Sequence, residues 1–337
     1  MKKQLLFITT LLLCSLGLAA QVVVNADITT NTTWTNNNTY LLQGGCLYVT
    51  NNATLTIEPG TLIKGDQAAL IVTRGAKIIA DGTAEMPIVF TSSKPAGQRA
   101  PGDWGGLLLL GKAPINVPGG ETVVEGGCAD ALYGGNEPND NSGTLRYVRI
   151  EFAGIPFTPN NELNSLTLGG VGTGTIIEHV MTSYGGDDAF EWFGGTVNGK
   201  WLVAFRTVDD IFDVDFGYSG KNQWLLGISD PSLADISGSN GFESDNDGNG
   251  STNSPKTDGD FSNVTILGPI GQAGTPNGNF RRRCTSAAAP TLMCSTLPFP
   301  ASPSACCSTV PAPLTASRRT GRWNLPPTPW PTNRAAT

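Results

Sequence analysis

The chain has 337 residues, of which 42 are glycine and only 15% are charged, a composition typical of a turn-rich β protein rather than a helical one. Residues 281–337 contain seven of the 21 basic residues and no Asp or Glu, so residues 1–280 carry 14 basic and 28 acidic side chains, a net charge of −14. This balance argues against nucleic acid as a partner, because phosphate binding needs a basic surface. Cations and polar polymers such as glycans fit it better.

Residues 1–20 have the features of a secretory signal peptide. A basic start at Met1–Lys3 is followed by an apolar run, Leu5–Leu18, and by the small pair Ala19–Ala20. The apolar run is too short for a lasting membrane anchor. The sequence therefore predicts an exported protein, secreted or at the cell surface, with no transmembrane segment in the mature chain.

The next part of the chain has the pattern of short β-strands. Residues 21–45 are rich in Thr and Asn and are expected to form a polar entry segment or cap. From Cys46 to Phe90, β-branched runs of three to five residues alternate with Gly, Pro and Asp turns. No window has a sustained 3.6-residue apolar period, so very low helix content is predicted. Strand follows strand without a helical crossover, which argues against a doubly wound sheet.

Four segments of this region carry a resemblance to a known group of proteins: Leu55–Thr61, Gly75–Thr83, Pro87–Ser92 and Asp103–Leu107. They resemble secreted bacterial right-handed parallel β-helix proteins of the pectin-lyase-like superfamily, in the branch of Bacteroidetes-type surface proteins. The resemblance covers about residues 40–270. It implies an all-β solenoid but no activity, because most relatives in this branch have no established reaction.

A tandem repeat in residues 186–225 favours the same architecture. The pairs Asp187-Asp188 and Asp209-Asp210 lie 22 residues apart, and Trp201 and Trp224 lie 23 apart. A period in the twenties is typical of a solenoid whose units bury their apolar faces against each other. Each copy is therefore expected to form one coil of a parallel β-helix spanning residues 46–280.

A long loop rich in Gly, Pro and Asn interrupts this region at residues 112–144. Loops of this length are usually functional or disordered. Cys46 and Cys128 are the only cysteines of the mature body, and export favours their pairing, which would pin the loop onto the first coil. Two free thiols are the alternative.

The tail, residues 281–337, differs from everything before it. It holds ten of the 23 prolines and four of the seven cysteines, without a carboxylate or a β pattern. It is interpreted as a disordered proline-rich stalk or as the product of a lost reading frame, which the abrupt change favours. Its cysteines lack the spacing of a metal site.

Six acidic residues of the repeat form the best candidate site. Equivalent residues of successive coils stack about 4.8 Å apart, so the two Asp-Asp pairs are expected side by side, with Glu191 beside Asp213 and Glu243 beyond. Stacked carboxylates repel unless a cation, an arginine or shared protons intervene. We call this set the acid face: Asp187, Asp188, Glu191, Asp209, Asp210 and Asp213.

Two interpretations of the acid face remain open. Calcium suits it, since this ion takes several oxygen ligands in loose geometry and its extracellular sites are often weak. Alternatively, the Asp-Asp pairs cap turns by accepting hydrogen bonds from backbone N–H groups, and the carboxylates are simply solvated.

The resemblance also implies an enzymatic alternative. Lyases of the superfamily combine calcium-bound Asp residues with an Arg or Lys base that removes the proton beside a uronate carboxylate, whereas hydrolases use close pairs or trios of Asp. The candidate acids here are Asp209 and Asp213, and the candidate bases are Lys200 and Arg206, although neither motif is complete. The single histidine, His179, excludes a Ser-His-Asp triad and a histidine-based metal site.

Aromatic residues alternate with the acids of the repeat. Trp192, Trp201 and Trp224 are candidates for stacking against sugar rings next to the carboxylates, with burial in the core as the alternative. The sequence as a whole predicts an exported, all-β, right-handed parallel β-helix that contacts an extracellular polysaccharide or cell-surface glycan, with calcium as candidate cofactor. The alternatives are a lyase or hydrolase of acidic polysaccharides that acts through residues 187–215, and a purely structural adhesin or stalk.

Overall fold

The computed structural model describes residues 20–129, 131–158, 161–270, 272–281, 285–286 and 293–295. Apart from Ala20, the expected signal peptide at residues 1–20 lies outside the described residues, as does most of the tail, residues 281–337. All of the described residues belong to one compact unit, residues 1–307.

The described chain contains strands and turns and no helix. The first twelve strands are β1 (Ala20–Val24), β2 (Thr32–Trp34), β3 (Asn38–Gln43), β4 (Cys46–Val49), β5 (Thr54–Ile57), β6 (Leu62–Asp66), β7 (Ala69–Val72), β8 (Lys77–Asp81), β9 (Ile88–Ser92), β10 (Gly106–Leu110), β11 (Glu121–Val123) and β12 (Leu132–Gly134). The others are β13 (Gly143–Glu151), β14 (Pro156–Thr158), β15 (Asn161–Glu162), β16 (Leu166–Gly169), β17 (Ile176–Ser183), β18 (Phe190–Phe193), β19 (Asn198–Phe205), β20 (Phe212–Asp215), β21 (Lys221–Ile228), β22 (Phe242–Ser244), β23 (Asp260–Leu267), β24 (Thr285–Ser286) and β25 (Met293–Ser295).

The strands stack into two parallel sheets. Sheet A has 13 strands and runs from β1 through β3, β6, β9, β13, β17, β19, β21 and β23 to β25. Sheet B has eight strands in the order β24-β22-β20-β18-β16-β10-β7-β4. The chain alternates between the sheets, so each coil places one strand above its counterpart in the coil before. The predicted all-β parallel β-helix is confirmed.

From β13 onward each coil carries one long bent strand in sheet A. Strand β13 pairs with both β8 and β9, which are separate strands of the preceding coil. One non-glycine residue of each long strand has a positive φ, and these residues are Tyr147, His179, Trp201, Trp224 and Asn263 (φ 49°, 52°, 54°, 61° and 55°). This left-handed backbone bends the strand and shifts the alternation of its side chains.

The interior is a column of apolar side chains from both sheets. On the inner face of sheet B, Phe190 stacks on Phe212 and Phe212 on Phe242, with ring centroids 5.8 and 5.1 Å apart. Trp192 lies in the same column and is fully buried. Burial of each such side chain stabilises the fold by roughly 1.5–3 kcal/mol. The aromatic residues of the repeat therefore form much of the core.

The structure places the start of the solenoid before Cys46. Strands β1 and β3 are the first members of sheet A, and β2 pairs with β5. The Thr/Asn-rich segment, residues 21–45, thus adds strands to the stack rather than forming a separate polar cap. Buried side chains such as Tyr40 and Leu42 alternate here with half-buried ones, which makes this possible.

The long loop, residues 112–144, packs against the outer face of sheet B. It contains the antiparallel hairpin of β11 and β12, and a disulfide joins its Cys128 to Cys46 in β4. Beneath it lies a second, smaller core, formed by Ala69, Ile71, Leu108, Leu110, Ile115, Val124, Cys128, Ala131, Tyr133, Leu163 and Phe193. The loop is therefore packed onto sheet B, and it reaches the acidic coils, where the Asn116 N–H donates a hydrogen bond to the Phe216 carbonyl. A membrane-crossing helix, which would have to be long and apolar, does not occur in the described part of the chain.

Candidate functional site

A row of acids runs across the outer face of sheet B. Parallel pairing sets Thr167 beside Glu191, Glu191 beside Asp213, and Asp213 beside Glu243. The predicted neighbours of Glu191 and Asp213 are therefore confirmed, and so is the position of Glu243. Glu191 is only 5% exposed, and the buried amide of Asn164 donates a hydrogen bond to its Oε2.

A ladder of Asn and Asp side chains occupies the turn before this row. Asn164 Oδ1 accepts the backbone N–H of Asp188 at 3.2 Å, and Asp188 Oδ1 accepts that of Asp210 at 2.8 Å. Asp210 Oδ1 in turn accepts the N–H of Asn240. Each side chain thus caps the equivalent residue of the next coil. The turn-cap interpretation is correct for Asp188 Oδ1 and for Asp210, whose Oδ2 also accepts the side-chain amide of Asn240 at 3.4 Å.

Carboxylate oxygens from five of the six acids, all except Asp210, form two groups. Asp187, Asp188 and Asp209 each contribute an oxygen to one group, and Asp188, Glu191 and Asp213 to the other, with the atoms of each group within 4.8 Å of one another. Asp188 belongs to both groups. The Oδ1 atoms of Asp209 and Asp213 are buried without a hydrogen-bond partner. Oxygens placed in this way can hold a hard cation or share protons.

Two further acids arrive from segments outside the coils. Glu125 belongs to the long loop, and Glu162 belongs to the hairpin of β14 and β15. The two segments touch at Gly126, where a β-carbon would collide with Leu163. Burial is the main cause of the raised pKa of Glu191, and the charge of Glu125 is the next largest. Sequence reasoning missed both acids, because neither lies in the repeat.

Burial and mutual repulsion raise the pKa values of the whole acid face. Desolvation comes first for every member, and the charges that add to it are other carboxylates. Burial, with Asp235 next, raises the pKa of Asp209 to about 6, and burial with a hydrogen bond to Glu243 raises that of Asp210 to about 10. The neighbouring Asp215 is raised to about 7, again mainly by burial. Without a cation, the site therefore retains protons near neutral pH.

Residues 26–294 match the family model of the pectate-lyase-like β-helix domain. The chain belongs to this family. Membership gives the protein a carbohydrate-related function at the level of the family. No curated protein and no solved structure matches the chain.

In this pectate-lyase-like β-helix, the two candidate bases are not at the acid face. Lys200 lies in sheet A, in register with Glu178 and Gln223. Arg206 follows the end of β19, where it pairs with Asp230 at 3.4 Å. The two candidate bases therefore do not stand beside the acids of sheet B, because Lys200 belongs to sheet A and Arg206 pairs with Asp230.

The tryptophans do not stack beside the carboxylates, and the alternative interpretation, burial in the core, is correct for Trp192. Trp192 is fully buried and has no exposed ring to offer a sugar. Trp201 and Trp224 are 38% and 39% exposed, but they lie in sheet A and not beside the carboxylates of sheet B. The structure thus brings together all six acids of the acid face and separates the tryptophans and basic residues from them.

Proposed function

We propose that the acid face binds a divalent cation, calcium by its chemistry, and that the protein contacts extracellular glycan through this ion. One observation carries the proposal. Asn164 and Asn240 occupy the two ends of the same ladder in which Asp188 and Asp210 occupy the middle. Asn can therefore cap this turn without burying a charge. The two central coils nevertheless have Asp, so capping alone does not explain their carboxylates.

The donor set favours calcium among common ions. All donors are carboxylate oxygens from adjacent coils, with two buried Oδ1 atoms that lack partners. Calcium accepts six to eight oxygens in variable geometry, whereas Mg²⁺ demands a near-ideal octahedron. A bound cation would offset the repulsion that raises these pKa values. The signal peptide predicted from residues 1–20 is consistent with export to a compartment in which weak calcium sites fill.

The link to glycan rests on the family and on charge. An acidic surface repels a polyanion, but a calcium ion with open coordination positions attracts sugar carboxylates and hydroxyls. The site lies beside the long loop, which is packed onto sheet B and offers a polymer a second surface to contact. An adhesive or glycan-binding role follows from these features.

Calcium titration of the full chain tests the cation site. Calorimetry is expected to give saturable binding that Asp188→Asn weakens by about tenfold or more, since this residue serves both oxygen groups. Asp27→Asn is the matched control, because Asp27 Oδ1 also accepts a backbone N–H, from Tyr48 at 3.0 Å, far along the solenoid. Absence of calcium binding, or equal binding by both variants, would refute the cation site.

Hydrolysis of a glycosidic bond is the second candidate. The observation that favours it is the trio of Asp188, Glu191 and Asp213, whose raised pKa values keep a proton available beside an ionised neighbour. A lyase fits less well, because Lys200 and Arg206 lie elsewhere. Release of reducing ends from polysaccharides, lost in Glu191→Gln, would establish a hydrolase, and its absence over a panel of acidic and neutral glycans would reject one.

A further inference from the structure

The first coil of the solenoid leaves one strand edge uncovered. Strand β1 pairs with β3 on one side, where Ala20–Val24 lie in register with Asn38–Leu42. Its other edge meets no strand among the described residues, because β1 is the first member of sheet A. A free edge carries a row of unpaired backbone N–H and C=O groups, which can pair with a strand of another chain. The start of sheet A is therefore a candidate surface for pairing.

The hydrophobic core is also uncovered at this edge. Val22 pairs with Tyr40, and Tyr40 pairs with Ile63, so these side chains stack on one face of three successive coils. Ile63 and Tyr40 are buried, whereas Val22 is 39% exposed because no coil lies above it. Val23, on the opposite face of β1, is 48% exposed. The first coil thus presents apolar side chains beside its unpaired backbone groups.

The usual means of protecting a strand edge are missing here. Proteins protect such edges with charged side chains, proline, bulges or a covering helix. Residues 20–26 include no charged residue and no proline, and the described chain contains no helix. Asp27 is the first charged residue after the predicted signal peptide. Because the rest of the body is strongly acidic, this uncharged end lets two copies approach with little repulsion.

We propose that two copies of the chain join end to end through β1, antiparallel and about a two-fold axis. The two edges are identical, so each supplies the donors and acceptors that the other needs, and the contact closes at two copies. It extends sheet A from one copy into the other and covers Val22 in both. The exported chain, expected to begin near Gln21, keeps Gln21–Val24 of this strand.

The other end of the solenoid favours a closed dimer over a head-to-tail fibre. The edge strands described there, β24 and β25, are two and three residues long. They cover the edges of β22 and β23. Very short edge strands discourage pairing with another chain. A five-residue edge such as β1 therefore finds its best match in β1 of a second copy.

Sedimentation of the full chain as exported, with its first residue verified by mass spectrometry, tests the proposal. In chelator, between about 1 μM and 1 mM protein, a reversible equilibrium between monomer and dimer is expected. Val23→Lys should raise the dissociation constant of the dimer by about tenfold or more, because the two-fold axis brings the introduced charges together at the edge. Val123→Lys is the matched control, since Val123 is 49% exposed and lies in the loop hairpin instead of sheet A.

Hydrogen exchange locates the contact without a substitution. The backbone amides of residues 21–24 should exchange more slowly as the protein concentration rises, whereas those of residues 121–123 should not change. Equal melting temperatures of Val23→Lys, Val123→Lys and wild type at low concentration would establish that both variants fold.

Several results would overturn the proposal. A monomer at every concentration, equal dimerisation of Val23→Lys and wild type, or unchanged exchange at residues 21–24 would each do so. Self-association that Trp224→Asn abolishes and Val23→Lys does not would assign the contact to the exposed tryptophans of sheet A. Oligomers that keep growing beyond the dimer would indicate head-to-tail stacking and reject the two-fold contact.

Discussion

Replacement of Asp213 by Asn distinguishes two interpretations of the acid face, a cation site and a set of structural caps. The oxygens of Asp188, Glu191 and Asp213 lie within 4.8 Å of one another. Two unit charges at that separation repel by about 3.5 kcal/mol at an effective dielectric constant of 20. Proton uptake by these carboxyls relieves part of the repulsion. Without metal at pH 8, Asp213→Asn should therefore increase the free energy of unfolding, by about 2 kcal/mol.

In calcium, wild type should become more stable than Asp213→Asn, the reverse of the order of stability expected without metal. At a free concentration 100 times the dissociation constant, calcium stabilises wild type by about 2.7 kcal/mol, and the variant gains little. Denaturant unfolding in chelator and in calcium measures both differences, and at pH 4 the advantage of the variant should shrink because the carboxyls are protonated. If Asp213→Asn were less stable than wild type in chelator, the carboxylate would be a structural partner and the reasoning would be wrong.

Three other predictions follow from the same geometry. The raised pKa values of Asp209 (about 6), Asp215 and Glu125 (each about 7) mean that the folded state binds more protons than the unfolded chain between about pH 4 and 7. The free energy of unfolding of the metal-free protein should therefore fall as pH rises through this window, and calcium should flatten the profile; a rise instead would contradict the assignment. The Cys46–Cys128 bond closes a loop with a sequence separation of 82, so its removal by paired Ser substitutions should lower the free energy of unfolding by about 4.5 kcal/mol, measured in urea, with little change expected if the loop is already ordered without it. Asn164→Asp keeps the acceptor for the Asp188 N–H but removes the donor to Glu191, so calcium affinity should change while the melting temperature in chelator at pH 4 stays near that of wild type.

Much of the acid face could be predicted because it repeats. In a solenoid, residues one period apart become neighbours through backbone pairing alone, and the 22-residue spacing of the Asp-Asp pairs was enough to set them side by side. The ladder of Asn164 and Asn240 follows the same rule, but an insertion before Asn240 lengthens the period and hides it in the sequence. The constant spacing of the repeat therefore predicts which residues become neighbours. The prediction fails where an insertion changes that spacing.

The sequence by itself determined that the chain is a parallel β-helix and which acids share a row, because strand pairing between equal coils is a local and periodic property. Only the tertiary structure decided which wall each other residue occupies. Trp201, Trp224 and Lys200 belong to sheet A whereas the row of acids belongs to sheet B, and packing of the long loop brings Glu125 close to the acids. These placements depend on which sheet each strand joins and on loop docking, which the spacing of the repeat does not reveal.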